Sequence, residues 1–195
     1  MNKLEGFLAL RKSGLPSVPW QEYNKDTVLD DNVLWTIRSA VSQGNDLNLP
    51  RKIGVKADEA KVFADTLLLT LDKNDLVLYY PYFIANKSGV IELSDKRVVI
   101  EAVKDDLWNL VTNNTKDVTI IFENDNMEFI GKSDFLTQEE LLELIDYCVL
   151  IKRKFGELLI NGKSIFLEWS FAFKTNINYE SIGEQKLVFY EIRTV

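Results

Sequence analysis

The sequence contains no histidine. That absence removes Ser-His-Asp and Cys-His nucleophilic catalysis, and zinc sites built on imidazole. Cysteine is almost missing as well: Cys148 stands alone, so the chain can form no internal disulfide. Its helical spacing from Leu141, Leu144 and Ile151 favours a buried thiol over a nucleophile. There is neither a signal peptide nor an apolar run long enough to span a bilayer, so a soluble cytoplasmic protein without a membrane partner is expected. A basic excess is also lacking. With 23 Lys and Arg against 30 Asp and Glu, the net charge is −7, which argues against nucleic acid as the main partner. One nucleotide in a local basic cleft stays compatible with that balance.

What is present is a globular composition, 46% hydrophobic and 27% charged over 195 residues, enough for one large domain or two small lobes. No repeat, low-complexity tract or flexible linker divides it. Near the end, two segments read as strands, Ile165 to Phe173 and Lys186 to Arg193. Alternation places Ile165, Leu167, Trp169, Phe171 and Phe173 on one face, with Glu168 on the other. In the second strand it groups Leu187, Phe189, Glu191 and Arg193 against Val188, Tyr190 and Ile192. A carboxylate inside so apolar a strand needs a cation, a metal ion or water. The plainer reading leaves Glu168 and Glu191 exposed on a wet face.

Earlier in the chain, Leu4 to Ser13 has helical spacing and is stopped by Gly14-Leu-Pro16. Leu34 to Ile37 reads as a short strand that runs into a loop beginning at Arg38. The guanidinium fork and the small residues after it suit a phosphate, although an Arg after a strand is also an ordinary surface residue. Ala57 to Leu69 is an amphipathic helix. Leu76 to Ile84 is an aromatic-rich strand, followed after a short turn by Ser88 to Leu93 and then Arg97 to Val103. Tyr80 and Tyr82 would stack a purine or simply face a hairpin. Val118–Phe122 and Met127–Ile130 form a hairpin across Asn124 to Asn126. Thr137-Gln-Glu-Glu140 is a capping box that opens a helix ending at Phe155 before Gly156.

Taken in order, these segments resemble the ATP-grasp nucleotide-binding domain of phosphoenolpyruvate synthase, pyruvate phosphate dikinase and rifampin phosphotransferase. Phe166-Leu-Glu-Trp-Ser170 is similar to that family's Asp-Ile-Glu-Trp-Ala strand, and Tyr190-Glu-Ile-Arg-Thr194 to its Leu-Gln-x-Arg-Pro strand. An ungapped count back from Gly14-Leu-Pro16 puts Lys3 on the family lysine. Arg38 through Asp46 to Pro50 resembles Val-Arg-Ser-Ser-Ala…Glu-Asp-Leu-Pro. Alignment on Ser88-Gly-Val90 sets Tyr80 and Tyr82 on the hinge strand behind the adenine, and Val99 to Val103 matches Val-Ile-Glu-Ala at Glu101. The departures are Phe166 for Asp, Glu191 for Gln, and the loss of the glycine-rich loops, where Arg51 to Lys56 and Lys104 to Leu107 now stand.

The resemblance implies an α+β, ATP-grasp-like fold in which two lobes of mainly antiparallel sheet and flanking helices sandwich a nucleotide. Residues 1–72 would form the lobe carrying Lys3 and Arg38, and residues 73–195 the lobe carrying the hinge and the metal-binding strands. It implies ATP and Mg²⁺ as cofactors. Lys3 and Arg38 would neutralise phosphate as catalytic groups, Tyr80, Tyr82, Glu101 and Arg193 would contact the nucleotide, and Glu168 and Glu191 would hold the metal. A phosphohistidine cycle within this chain is excluded, so the acceptor is expected from outside, as a small molecule or a partner protein. The expected activity is Mg-dependent phosphotransfer or ligation. The alternatives are a non-catalytic nucleotide-binding or interaction module, and a structural domain that binds no nucleotide.

Overall fold

The computed structural model describes residues 1–42, 49–111 and 115–195. In chain order the elements are α1 (Lys3–Ser13), β1 (Gln21–Glu22), β2 (Trp35–Ala40), β3 (Arg51–Val55), α2 (Ala57–Thr70), β4 (Leu76–Pro81), β5 (Phe83–Leu93) and β6 (Arg97–Lys104). They continue with α3 (Trp108–Val111), β7 (Val118–Glu123), β8 (Asn126–Gly131), α4 (Gln138–Ile160), β9 (Ile165–Thr175) and β10 (Ser181–Thr194). The strands form a 4-stranded sheet in the order β1-β4-β2-β3 and a 6-stranded sheet in the order β10-β9-β5-β6-β7-β8. All strand pairings within both sheets are antiparallel. The architecture is therefore α+β with two antiparallel sheets and flanking helices. Because β4 pairs with β1 and β2, the small sheet draws on residues on both sides of position 72.

Each sheet buries one face against a helix. On the large sheet, Ile91, Ile100, Ile120, Ile165, Leu167, Trp169 and Phe189 meet Leu144, Cys148, Ile151 and Leu159 of α4. Full burial of such side chains contributes about 1.5–3 kcal/mol each. Trp169 fits because its register partner is Gly89, where a Cβ would lie 2.4 Å from the indole ring and 2.0 Å from the Glu101 carbonyl oxygen. The small sheet packs Trp35, Ile37 and Val77 on Ala57, Ala60, Ala64 and Leu67 of α2. Its other face meets α1 and the large sheet through Ala40, Leu78, Tyr80, Phe7, Trp20 and Val188.

The helix ends follow their local chemistry. Asn2 caps α1 in a capping box with Glu5, and Gly14 closes it in the left-handed conformation at φ 74°. Thr137 and Glu140 form the expected box at the start of α4. That helix does not stop at Gly156; it kinks at Phe155 (φ −112°, ψ 16°) and runs on to Ile160. The aromatic strand also differs from the periodicity reading. The chain breaks at Tyr82 and not at 85–87, so the small sheet ends at Pro81 and β5 runs unbroken from Phe83. The one-residue break moves the chain from one sheet to the other. The basic stretch from Arg51, standing where the resembled family is rich in glycine, is the edge strand β3.

Candidate functional site

The facing surfaces of the two sheets carry the polar residues. Arg38 lies in the middle of β2, paired with Leu78 and Arg51, and not in a loop after the strand. It shares its sheet face with Thr36 and Ala40, opposite Trp35 and Ile37, by simple alternation. Its guanidinium is buried and donates to Glu191 Oε2 at 3.3 Å, with its Cζ 5.0 Å from the centre of the Phe7 ring. Of the segment expected to follow it as a phosphate loop, Ser39 and Ala40 continue β2, and residues 43–48, including Asp46, lie outside the described residues.

Lys3 approaches from the first turn of α1, its Nζ 3.5 Å from the same Glu191 oxygen. Glycine makes this approach possible. A Cβ at Gly6 would lie 2.1 Å from the Ile192 carbonyl oxygen, so only glycine lets α1 rest this closely on β10. The helix in turn delivers Lys3, one turn earlier, to the carboxylate.

A β-bulge decides which way Glu191 points. Phe189 pairs with Trp169, yet Glu191 pairs with Glu168, so Tyr190 is the extra residue. Strict alternation would have carried Glu191 and Arg193 onto the helix-backed face with Leu187 and Phe189. The bulge instead sends Phe189 and Ile192 into that core and turns Glu191 and Arg193 toward the cleft. The face assignment read from sequence for the second strand is corrected accordingly. Glu168 and Glu191 are now directly opposed on one face of adjacent strands.

Like charges so placed perturb each other. Burial and the negative charge of Glu191 push the Glu168 carboxyl above the usual carboxylate range, against the pull of Arg38, Arg193 and Lys3. Burial works against the Arg38 charge, but Tyr80 beside it and the carboxylates of Glu191 and Glu168 outweigh that cost, holding the guanidinium protonated. Lys3 and Arg38 converge on Glu191, whereas Glu168 takes no hydrogen bond from a described residue. The pair fits a hard divalent cation, which prefers oxygen ligands and would neutralise the carboxylate the cations leave aside. Among the described residues, no group of three or more potential metal-ligating side chains gathers.

The other candidates occupy distinct places. Tyr80 is buried on β4 beside Arg38, whose charge it favours. Tyr82 sits at the break between the sheets, donating its backbone N–H to the Leu34 carbonyl at 2.7 Å, with its ring over Gly54. Burial, with Asp106 and Tyr179 nearby, raises its phenol pKa. Glu101 belongs to the same row across the large sheet, opposite Val90, which is itself opposite Glu168. It is ion-paired with Lys116. Arg193 lies on the Phe166 ring, its Cζ 4.7 Å from the centroid.

Sequence reading missed Tyr190, Ser88 and Ser170. The two serine hydroxyls meet at 2.7 Å, and Ser88 donates to the Asp105 carbonyl at 2.6 Å. Burial, and then neighbouring Tyr80, drive the Tyr190 phenol pKa upward, with Ser170 drawing it the other way. The signal for Tyr190 was its neighbourhood, since an aromatic at a bulge is invisible to alternation. A cavity of about 310 Å³ opens farther along the same strands, lined by Phe83, Ala172, Lys174, Lys186, Val188 and Ile182, among others. Among the described residues, no helix is long and apolar enough to cross a membrane.

No protein-family model matches the sequence, and no curated protein matches it. Solved structures do. The chain is similar to the D-alanine-D-alanine ligase of Helicobacter pylori, with a TM-score of 0.51 and 13% identity, over 98% of this chain and 50% of that one. It is also similar to D-alanyl-alanine synthetase A of Vibrio cholerae O1 biovar eltor, with a TM-score of 0.54 and 8% identity, over 98% of this chain and 54% of that one. The chain thus spans about half the length of these enzymes. Identities this low speak for fold alone, and they do not show the phosphoenolpyruvate synthase type within it. The two antiparallel sheets with their flanking helices, together with these neighbours, give this chain the ATP-grasp fold.

Proposed function

We propose that the chain binds ATP with Mg²⁺ between its sheets and transfers a phosphoryl group to an external acceptor, as an ATP-dependent ligase or phosphotransferase. The observation that carries the reading is the opposed pair Glu168 and Glu191 with Lys3 and Arg38 converging on it. Nucleotide phosphates would take over the donors that now hold Glu191, and the freed carboxylate would join Glu168 as a ligand for Mg²⁺. The metal, when bound, supplies charge neutralisation on the phosphates. Lys3 and Arg38 then stabilise the charge that moves onto the leaving phosphate, as the acceptor atom bonds to phosphorus and the bond to the bridging oxygen breaks. Arg38 suits this task because its fork grips two phosphate oxygens and its charge is firmly held. Tyr80 would fix the guanidinium, and Tyr82 would flank the base at the inter-sheet break. The cavity at Ala172 lies four residues from Glu168, roughly 13 Å along β9, a reach that an extended nucleotide covers from base to terminal phosphates. Glu101 would act at the rim of the row.

The test is thermal stability with ATP, ADP, AMP and GTP, each with and without Mg²⁺, followed by assay of ADP, AMP and phosphate release with candidate acceptors. Ligand at a hundredfold excess over Kd should stabilise the chain by about 2.7 kcal/mol. No stabilisation by any nucleotide overturns the reading. A second reading, a non-catalytic nucleotide binder, draws on Phe166 standing where the resembled family has a carboxylate. It predicts Mg²⁺-dependent stabilisation without product.

A further inference from the structure

A second cavity opens outside the cleft, at the C-terminal end of α1. Its volume is about 530 Å³, and it is lined by Arg11 and by residues 17–22, which lead into β1. That volume lies in the range of small-molecule sites. Ser17 alone is shared with the cavity along β9, and none of the residues assigned to nucleotide or metal lines it. Arg11 stands eight residues after Lys3, or roughly 12 Å along the helix. The lining segment is fixed by the fold at both ends. Phe189 donates its N–H to the Pro16 carbonyl at 2.7 Å, and Val18 donates to the Phe189 carbonyl at 3.2 Å. Gln21 and Glu22 pair with Tyr79 and Leu78 of β4, and the Tyr79 hydroxyl donates to Gln21 Oε1 at 2.9 Å.

Three polar groups on this wall lack a polar partner among the described residues. Trp20 is 6% exposed, and its indole Nε–H is buried without a hydrogen-bond acceptor among them. Arg11 lies over the indole, its Cζ 4.7 Å from the ring centre, while Phe7 meets the ring edge-on. Neither Arg11 nor Glu22 joins an ion pair between described residues, so two opposite charges line one cavity without meeting. A guanidinium stacked on an aromatic ring keeps its in-plane N–H groups for an oxyanion. A dianion such as phosphate would be repelled by Glu22, whereas a ligand carrying both charges is attracted at both ends. Val18, Pro19 and Trp20 add apolar surface for a short hydrocarbon body.

We propose that this cavity binds a small zwitterion, with Arg11 taking its carboxylate above the Trp20 ring and Glu22 taking its ammonium group. The site is independent of the nucleotide reading of the cleft. In isotope-labelled protein the Trp20 Nε–H signal, identified by its loss in Trp20→Phe, reports on the cavity, and calorimetry gives a second readout. Glycine, β-alanine and γ-aminobutyrate serve as probes, because they separate the two charges by increasing distances. Acetate, methylammonium and inorganic phosphate are the controls. At least one zwitterion should shift the Trp20 signal to saturation, and none of the controls should match it. Arg11→Met and Glu22→Gln should each weaken binding about tenfold, the order expected for one charged hydrogen bond. Both side chains are exposed, so the fold should persist, as unchanged positions of the other indole signals would show. No response to any zwitterion in either readout overturns the proposal. An equal response to acetate or phosphate, or parent affinity in Glu22→Gln, overturns it as well.

Discussion

Strands β9 and β10 show two different designs on their two faces. Against α4, Leu167, Trp169, Phe171, Leu187, Phe189 and Ile192 are all buried and apolar. That face is held by hydrophobic burial, which has no direction and tolerates repacking. The opposite face places Glu168, Ser170, Glu191 and Arg193 within the same strands, in a setting where each charge depends on its neighbours. One face is optimised for folding. On the other, two carboxylates stand opposed beside Arg38 and Arg193, an arrangement that folding alone does not reward.

Substitutions should separate the faces, and the largest effect belongs to the apolar one. Trp169→Ala empties a site walled by Gly89 and Phe171 and should cost about 3–5 kcal/mol in urea unfolding. A loss below about 1 kcal/mol would mean that the core collapses around the gap. Next comes Arg38→Met, which leaves Glu191 to Lys3 and should cost about 1–3 kcal/mol of stability. The milder Arg38→Lys keeps the charge and loses the fork, so ATP should weaken more than AMP in the same stability assay. Equal losses would move Arg38 away from the terminal phosphates.

Glu168→Gln should act in the opposite direction on the apo chain. The folded carboxyl titrates above its unfolded value because burial and Glu191 disfavour its charge. Its favourable contribution is complete below the unfolded pKa, about 4.3, and is lost as pH rises through the folded value. Glutamine should therefore raise Tm near neutral pH by roughly 2–4 °C, for about 1 kcal/mol, with the gain disappearing in acid. It should also abolish the Mg²⁺-dependent part of ATP stabilisation. A Tm that falls at neutral pH, or an intact Mg²⁺ effect, would contradict the opposed-carboxylate reading. Cys148 gives the smallest change. Burial against α4's sheet partner pushes its thiol up to about 12, so iodoacetamide should label it slowly until urea opens the core.

Several features were legible without coordinates. The Thr137 box, the Gly14 stop, the α2 stripe and the apolar face of β9 each depend on contacts within a few residues, which is the range over which sequence pattern acts. The break at Tyr82 was hidden because both flanking strands are equally apolar, so periodicity registers no change when the chain leaves one sheet for the other. The continuation of α4 past Gly156 was hidden as well, since a glycine ends a helix only where the following packing permits it.

By itself the sequence determined which chemistries are closed to this protein, through its lack of histidine, and which residue types could meet a phosphate or a cation. Tertiary structure decided their arrangement. Gly6 sets the distance from α1 to β10 that brings Lys3 to Glu191, and the bulge at Tyr190 turns Glu191 toward Glu168 and away from the core. Strand alternation has a period of two, so one inserted residue reverses every side chain beyond it. Pairing with β9 alone fixes where that insertion falls, and no local pattern in β10 records it.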